Sequence, residues 1–129
     1  MLYRIAARHI YQKNISLEDE EACSLEIGKV TIETIDMNDK YLREEKIGII
    51  ASKIAILPKV RSKLNLLQRN FAENIYDNYQ GVIMDGRDIG SVVIPNANLK
   101  IYITASVEIR ALRRNNQLNQ NGKRSTYAE

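Results

Sequence analysis

Residues Gly81-Val82-Ile83-Met84-Asp85-Gly86-Arg87-Asp88-Ile89-Gly90 run from an unbroken apolar stretch into two acids and an arginine. Val82 to Met84 have the pattern of a short strand buried on both faces. In open parallel sheets a ligand binds just beyond the carboxyl end of such a strand, where Asp85, Arg87 and Asp88 fall. Each offers a different chemistry. A carboxylate at a strand end, here Asp85, commonly holds a magnesium ion, directly or through water, in phosphate-transfer sites. Arg87 can grip a phosphate through two parallel hydrogen bonds. Asp88 can accept from an exocyclic amine such as the N4 amino group of cytosine. The competing reading is a polar surface turn with a local ion pair, because such turns commonly follow strands.

The elements around this cluster follow from periodicity. Leu2, Ile5, Ala6, His9 and Ile10 form one stripe of a helix over residues 2–13, with Asn14 as its stop. Ser16-Leu17-Glu18-Asp19 resembles a capping box and predicts a second helix running to Ile27 and Gly28. The period then changes to two over residues 30–35, a half-buried strand. Asp36 to Lys40 is turn chemistry, and Tyr41-Leu42 is expected to begin a short return strand. From Glu44 a helix turns Ile47, Ile50, Ala51 and Ile54 inward. Pro58 ends it and opens a further helix with Val60, Leu64, Leu67 and Phe71 on its stripe. Leu99 to Thr104 repeats the buried-strand pattern, and Ser106 caps an arginine-rich helix. Two buried strands with helices before and after them predict an α/β fold with a parallel sheet.

Composition narrows the function. A net charge of +3, with basic residues gathered between Arg110 and Arg124, suits an anionic ligand. Nucleic acid is not expected: one Phe and scattered tyrosines give no stacking platform. The single cysteine, Cys23, excludes a disulfide framework and a zinc site built on cysteines. Arg4 and Arg8 interrupt every apolar run near the N-terminus, and no stretch approaches the length of a membrane span, so a cytoplasmic protein without membrane contact is expected. Met1-Leu2-Tyr3-Arg4 enters a helix with no cap residue, and Tyr127-Ala128-Glu129 follows a basic turn with no closing element, so the sequence reads as the middle of a longer one.

Several motifs, in order, resemble the bacterial cytidylate kinases. Asp85-Gly86-Arg87-Asp88-Ile89-Gly90-Ser91-Val92-Val93-Ile94-Pro95 is similar to that family's DGRD-x-G-[TS]-VV-x-P segment, and Leu99 to Ala105 to the strand that follows it. The helix Glu108 to Leu118, with Arg110, Arg113 and Arg114, resembles the helix leading into the family's lid. Ala51-Ser52-Lys53-Ile54-Ala55 with Pro58-Lys59-Val60-Arg61 resembles AS-x-[IV]-A-x-x-P-x-VR, and Tyr3-Arg4 resembles a YR pair near the start. The resemblance implies a three-layer nucleoside monophosphate kinase fold of the P-loop class, incomplete here. Residues 15–77 would be the inserted monophosphate-binding subdomain, and residues 81–118 the core strands and pre-lid helix. It further implies phosphoryl transfer from ATP to CMP or dCMP with Mg²⁺, and a monomeric full-length protein.

By the same resemblance, Ser52, Arg61 and Asp88 contact the cytosine ring, a set of donors and one acceptor that suits cytosine and opposes uracil at position 4. Arg4 and Arg87 neutralise the monophosphate, with Tyr3 beside them, and Asp85 stands near the metal; Asp85 and Arg87 are the candidate catalytic residues. Read without the resemblance, Ser52 is tolerated helix packing, Arg4 and Arg61 are solvated charges, and Tyr3 anchors a core. Absent from residues 1–129 is the ATP cradle, G-x-x-x-x-G-K-[ST]: Gly28-Lys29 continues with Val and Gly122-Lys123 with Arg. In the family the strand leading to that cradle lies between the Asp85 strand and the Lys100 strand. Without it the two would stand about 9.6 Å apart, twice the normal spacing. The expectation is therefore a chain without kinase activity of its own, with a pyrimidine-nucleotide-binding module as the alternative reading.

Overall fold

A computed structural model describes residues 1–31, 35–36, 38–74 and 79–120 of the protein, without the side chains of Leu118 and Gln120. The chain forms two compact units, residues 1–96 and 97–129.

Among the described residues, four α-helices build the first unit: α1 (Leu2–Gln12), α2 (Glu20–Ile27), α3 (Glu45–Ile54) and α4 (Pro58–Asn74). Ile5, Ala6, Ala7 and Ile10 bury one face of α1, and the two alanines let it lie close along α3. Its end is set by backbone chemistry. Asn14 takes a left-handed conformation at φ 51°, its N–H donates to the Tyr11 carbonyl at 3.2 Å, and the Ile15 N–H donates to the Ile10 carbonyl at 3.1 Å. Asparagine accepts this conformation more readily than most residues, and the paired bonds satisfy carbonyls the helix would otherwise orphan.

The second helix starts later than its sequence suggests. Ser16 Oγ accepts the Glu18 N–H at 3.3 Å in a local turn, while Asp19 Oδ1 caps α2 through the Ala22 N–H at 2.9 Å. Asp36 and Asp39 each fold back on a backbone N–H two residues on, at 2.8 Å. Asp39 thereby opens a 3₁₀ turn over Lys40–Arg43, which replaces the return strand expected at Tyr41-Leu42. The turn delivers Leu42 to a small cluster with Ile5 and Val30. Of the strand predicted over residues 30–35, residues 32–34 lie outside the described residues.

Pro58 occupies the first position of α4, where its missing N–H costs nothing, and Leu57 accepts the Arg61 N–H at 3.0 Å. Ile47 and Ile54 of α3, Val60 and Leu64 of α4, and Cys23 and Ile27 of α2 join α1 in the main core. Each fully buried Leu or Ile there contributes about 1.5–3 kcal/mol relative to exposure. Glu20 and Glu21 of α2 tie down the start of α4: the Lys59 N–H donates to Glu20 Oε1 at 2.7 Å, and Lys59 Nζ pairs with Glu21.

The parallel sheet is where structure and expectation part. Among the described residues no strand forms, and the two runs read as buried strands are open. Ile83 is 100% exposed, and Leu99, Ile101, Tyr102 and Ile103 are all exposed large apolar residues. An apolar run becomes a buried strand only when neighbouring strands take up its N–H and C=O groups and cover its faces. Apolar character alone cannot supply those neighbours. After Asp88 the chain instead winds into a single π-type turn, Ile89–Val93.

In the second unit α5 spans Val107–Gln120, with Ser106 Oγ accepting the Ile109 N–H at 3.4 Å, the cap its sequence predicts. Among the described residues no helix is long and apolar enough to cross a membrane.

Candidate functional site

Arg61 and Asp88, predicted to share a ligand, meet directly. Arg61 Nη2 donates to Asp88 Oδ2 at 3.3 Å, and Nη1 reaches the Ala55 carbonyl at 3.4 Å. Helix α4 presents the guanidinium, and the turn after Gly86 presents the carboxylate. Ile89 lies close over Gly86: a Cβ there would stand 2.7 Å from Ile89 Cγ1, so a larger residue would make that side chain shift. The side chains of Arg61 and Asp88 are 44% and 36% exposed, so their attraction is screened and contributes about 0.2–1 kcal/mol. Such a pair can exchange partners when a better ligand arrives.

Tyr3 belongs to the same neighbourhood. Burial pushes its phenol pKa up, the charge of Arg61 pulls it down, and that of Asp88 raises it. Tyrosine, arginine and aspartate from α1, α4 and the Asp88 turn thus sense one another across residues far apart in sequence.

Arg4 points elsewhere. Its Nη1 donates to the carbonyls of Leu42 at 2.7 Å and Glu44 at 3.2 Å, over Gly48, where a Cβ would sit 2.6 Å from Nη2. Ser52 is exposed, and its Oγ donates back to the Gly48 carbonyl at 3.0 Å, a common resting bond for a helical serine. Asp85 and Arg87 are exposed on the segment leading to Asp88. Of the seven residues singled out, Arg61 and Asp88 therefore meet, while Arg4 and Ser52 hold backbone carbonyls.

A shallow, open depression of about 410 Å³ runs along α4, lined by Pro58, Arg61, Ser62, Asn65 and Arg69. Of the predicted residues it includes Arg61 alone. Asn65 Oδ1 is buried there with no hydrogen-bond partner among the described residues. Arg69 Nε and Nη2 donate to the carbonyls of Val93 at 2.8 Å and Val92 at 2.9 Å. Neither Asn65 nor Arg69 stood out in the sequence. The available signal was spacing: Arg61, Asn65 and Arg69 recur every fourth residue on one helix face, flanking the buried stripe of Val60 and Leu64.

A phosphate-transfer site needs a divalent cation and a cradle for the donor phosphates. Mg²⁺ is usually held by one or two carboxylates together with phosphate oxygens and waters. An exposed Asp85 fits that mode as a single ligand, and no group of three acidic, histidine or cysteine side chains forms a cage among the described residues. ATP does not fit: residues 1–129 contain no glycine-rich loop with Lys-Ser or Lys-Thr to cradle its phosphates.

Comparison with known proteins places these residues in a family. The family model described as Cytidylate kinase matches residues 1–129. A protein named Cytidylate kinase from Chromobacterium violaceum is 41% identical over 136 residues, covering 99% of this chain and 59% of the relative. Proteins of the same name from Bartonella henselae and Rhizobium meliloti are 37% and 38% identical, covering 100% and 98% of this chain and 57% of each relative. The chain thus spans less than two thirds of the length of these curated relatives. With every one of its residues inside the family model, the chain belongs to the cytidylate kinase family.

Proposed function

We propose that this chain carries the monophosphate-binding part of a kinase that transfers a phosphoryl group from ATP to CMP or dCMP. The observation supporting this most is the Arg61–Asp88 pair, whose charges both bear on the Tyr3 phenol. Asp88 accepts the N4 amine of cytosine, and Arg61 keeps donors to spare for O2 and N3 after holding Asp88 by one nitrogen. The Ser52 hydroxyl turns from the Gly48 carbonyl to the ring. Arg87, together with Arg4 released from Leu42 and Glu44, neutralises the monophosphate, while Tyr3 bounds the pocket. Asp85 would hold Mg²⁺, which when bound spreads the charge developing on the transferred group. Uracil places a carbonyl where cytosine has its amine, leaving Asp88 facing an acceptor.

In the finer architecture of this proposal, residues 15–77 form the monophosphate-binding insertion of a three-layer parallel-sheet fold. Residues 81–118 supply two core strands and the helix before the lid. The exposed apolar runs at Ile83 and at Leu99 to Ile103 are then sheet faces of the whole protein. For residues 1–129 by themselves, a pyrimidine-nucleotide-binding module without chemistry is the second reading. It is favoured by the lack of a phosphate cradle in this sequence. Calorimetric titration of the chain with CMP and UMP tests the binding role, with CMP expected to bind at least tenfold more tightly. A coupled assay for ADP release from CMP and ATP tests the chemistry; no turnover is expected from these residues alone.

A further inference from the structure

The turn that carries Asp88 is anchored at both ends by one helix. Its interior is wound by the N–H groups of Val93 and Ile94, donating to the carbonyls of Asp88 at 3.2 Å and Ile89 at 2.7 Å. Such π-type turns are rare and gather at functional sites. Its last carbonyls, on Val92 and Val93, have no continuing helix to satisfy them. Arg69 meets both with two donors of one planar guanidinium, at 2.9 and 2.8 Å, and its positive charge suits the carbonyl end of the turn. Arg61, two helical turns earlier on the same face of α4, holds the carboxylate at the other end. Eight residues of helix separate the two arginines by about 12 Å. The buried Val93 side chain adds a third fixed point.

We infer that Arg69 is a positioning residue: by clamping the Val92 and Val93 carbonyls to α4, it fixes where the Asp88 carboxylate stands relative to Arg61. This sets how well the site separates an amino-pyrimidine from a keto-pyrimidine. The inference rests on the proposed cytosine site. Two donors in a rigid fork, bound to successive carbonyls, determine both the rotation of the turn and its position along the helix. A lysine ammonium has no rigid fork, so it holds the turn's rotation less firmly. Asp88 must face the base amine to within a few tenths of an ångström for a good hydrogen bond, so a loosened turn blurs selectivity before it abolishes binding.

The test is calorimetry of the 129-residue chain with CMP and with UMP, for wild type, R69M, R69K and D88N, with circular-dichroism melts confirming the fold. R69M, which keeps the aliphatic stem, is expected to lower the CMP-to-UMP affinity ratio about tenfold, and R69K about threefold. D88N is expected to collapse the same ratio. If D88N collapses it while R69M weakens both nucleotides equally, or changes only the melting temperature, Arg69 is structural and the inference fails while the cytosine site stands. If wild type shows no preference for CMP, or D88N leaves the ratio intact, the site itself fails and the inference with it. Should R69M not fold, an unchanged ratio in R69K overturns the inference on its own.

Discussion

Arg61 on α4 donates from Nη2 to the Asp88 carboxylate at 3.3 Å, across 27 residues of sequence. The pair is partly exposed, so removing it costs little fold stability, about 0.2–1 kcal/mol. Nucleotide binding should respond far more. R61M is expected to weaken CMP binding by tenfold or more, about 1.4 kcal/mol or above, while shifting a urea midpoint only slightly. Titration and urea unfolding of the same variant check both halves.

Leu64 is fully buried between α4 and the core of α1, α2 and α3. L64A removes three carbons from a site that cannot fully collapse, and should destabilise the first unit by about 2–5 kcal/mol. Unfolding in urea, followed by circular dichroism, measures the loss. L66A, on an exposed position of the same helix, is the control and should cost little.

Asp19 caps α2 through the Ala22 N–H at 2.9 Å, and Glu20 and Glu21 in the next turn reach Lys59 on α4. D19A leaves that N–H unpartnered and should cost about 1 kcal/mol. S16A removes only a 3.3 Å bond in the preceding turn and should cost less. A pair of thermal melts distinguishes the real cap from the one its sequence advertises.

Burial holds the Tyr3 phenol above its ordinary pKa, with Arg61 opposing the shift and Asp88 adding to it. The folded state therefore keeps this proton more tightly than the unfolded chain. The resulting stability is fully present below the unfolded phenol value of about 10 and is lost as pH rises through the higher folded value. Melting temperature should fall across that alkaline range, and fall less in Y3F. The chain has seven tyrosines, so the difference between wild type and Y3F isolates this one.

What could be read from sequence tracked how local the determining physics was. The stripe Ile5, Ala6, Ile10 and the proline at the head of α4 act within a few residues, and both appear where periodicity put them. Ser16 and Asp19 are equally good caps on paper; Asp19 serves, and the helix it opens meets Lys59 of α4 through Glu20, 39 residues away. The apolar runs at Val82 to Met84 and Leu99 to Thr104 show strand composition, yet pairing is a property of neighbours and not of the run itself. At the site, Arg61 and Asp88 could be matched by motif, since the relevant chemistry sits in the residue type. Arg69 could not, because its donors serve the backbone of Val92 and Val93, and backbone acceptors leave no mark in a sequence.

Calorimetric titration of the intact chain with CMP, set against UMP under identical conditions, bears most directly on the cytosine site. Saturable binding of CMP, at least tenfold tighter than UMP and lost in D88N, is the predicted result. Equal affinity for the two nucleotides, or a preference for CMP that survives D88N, would contradict a base-reading role for the Arg61–Asp88 pair.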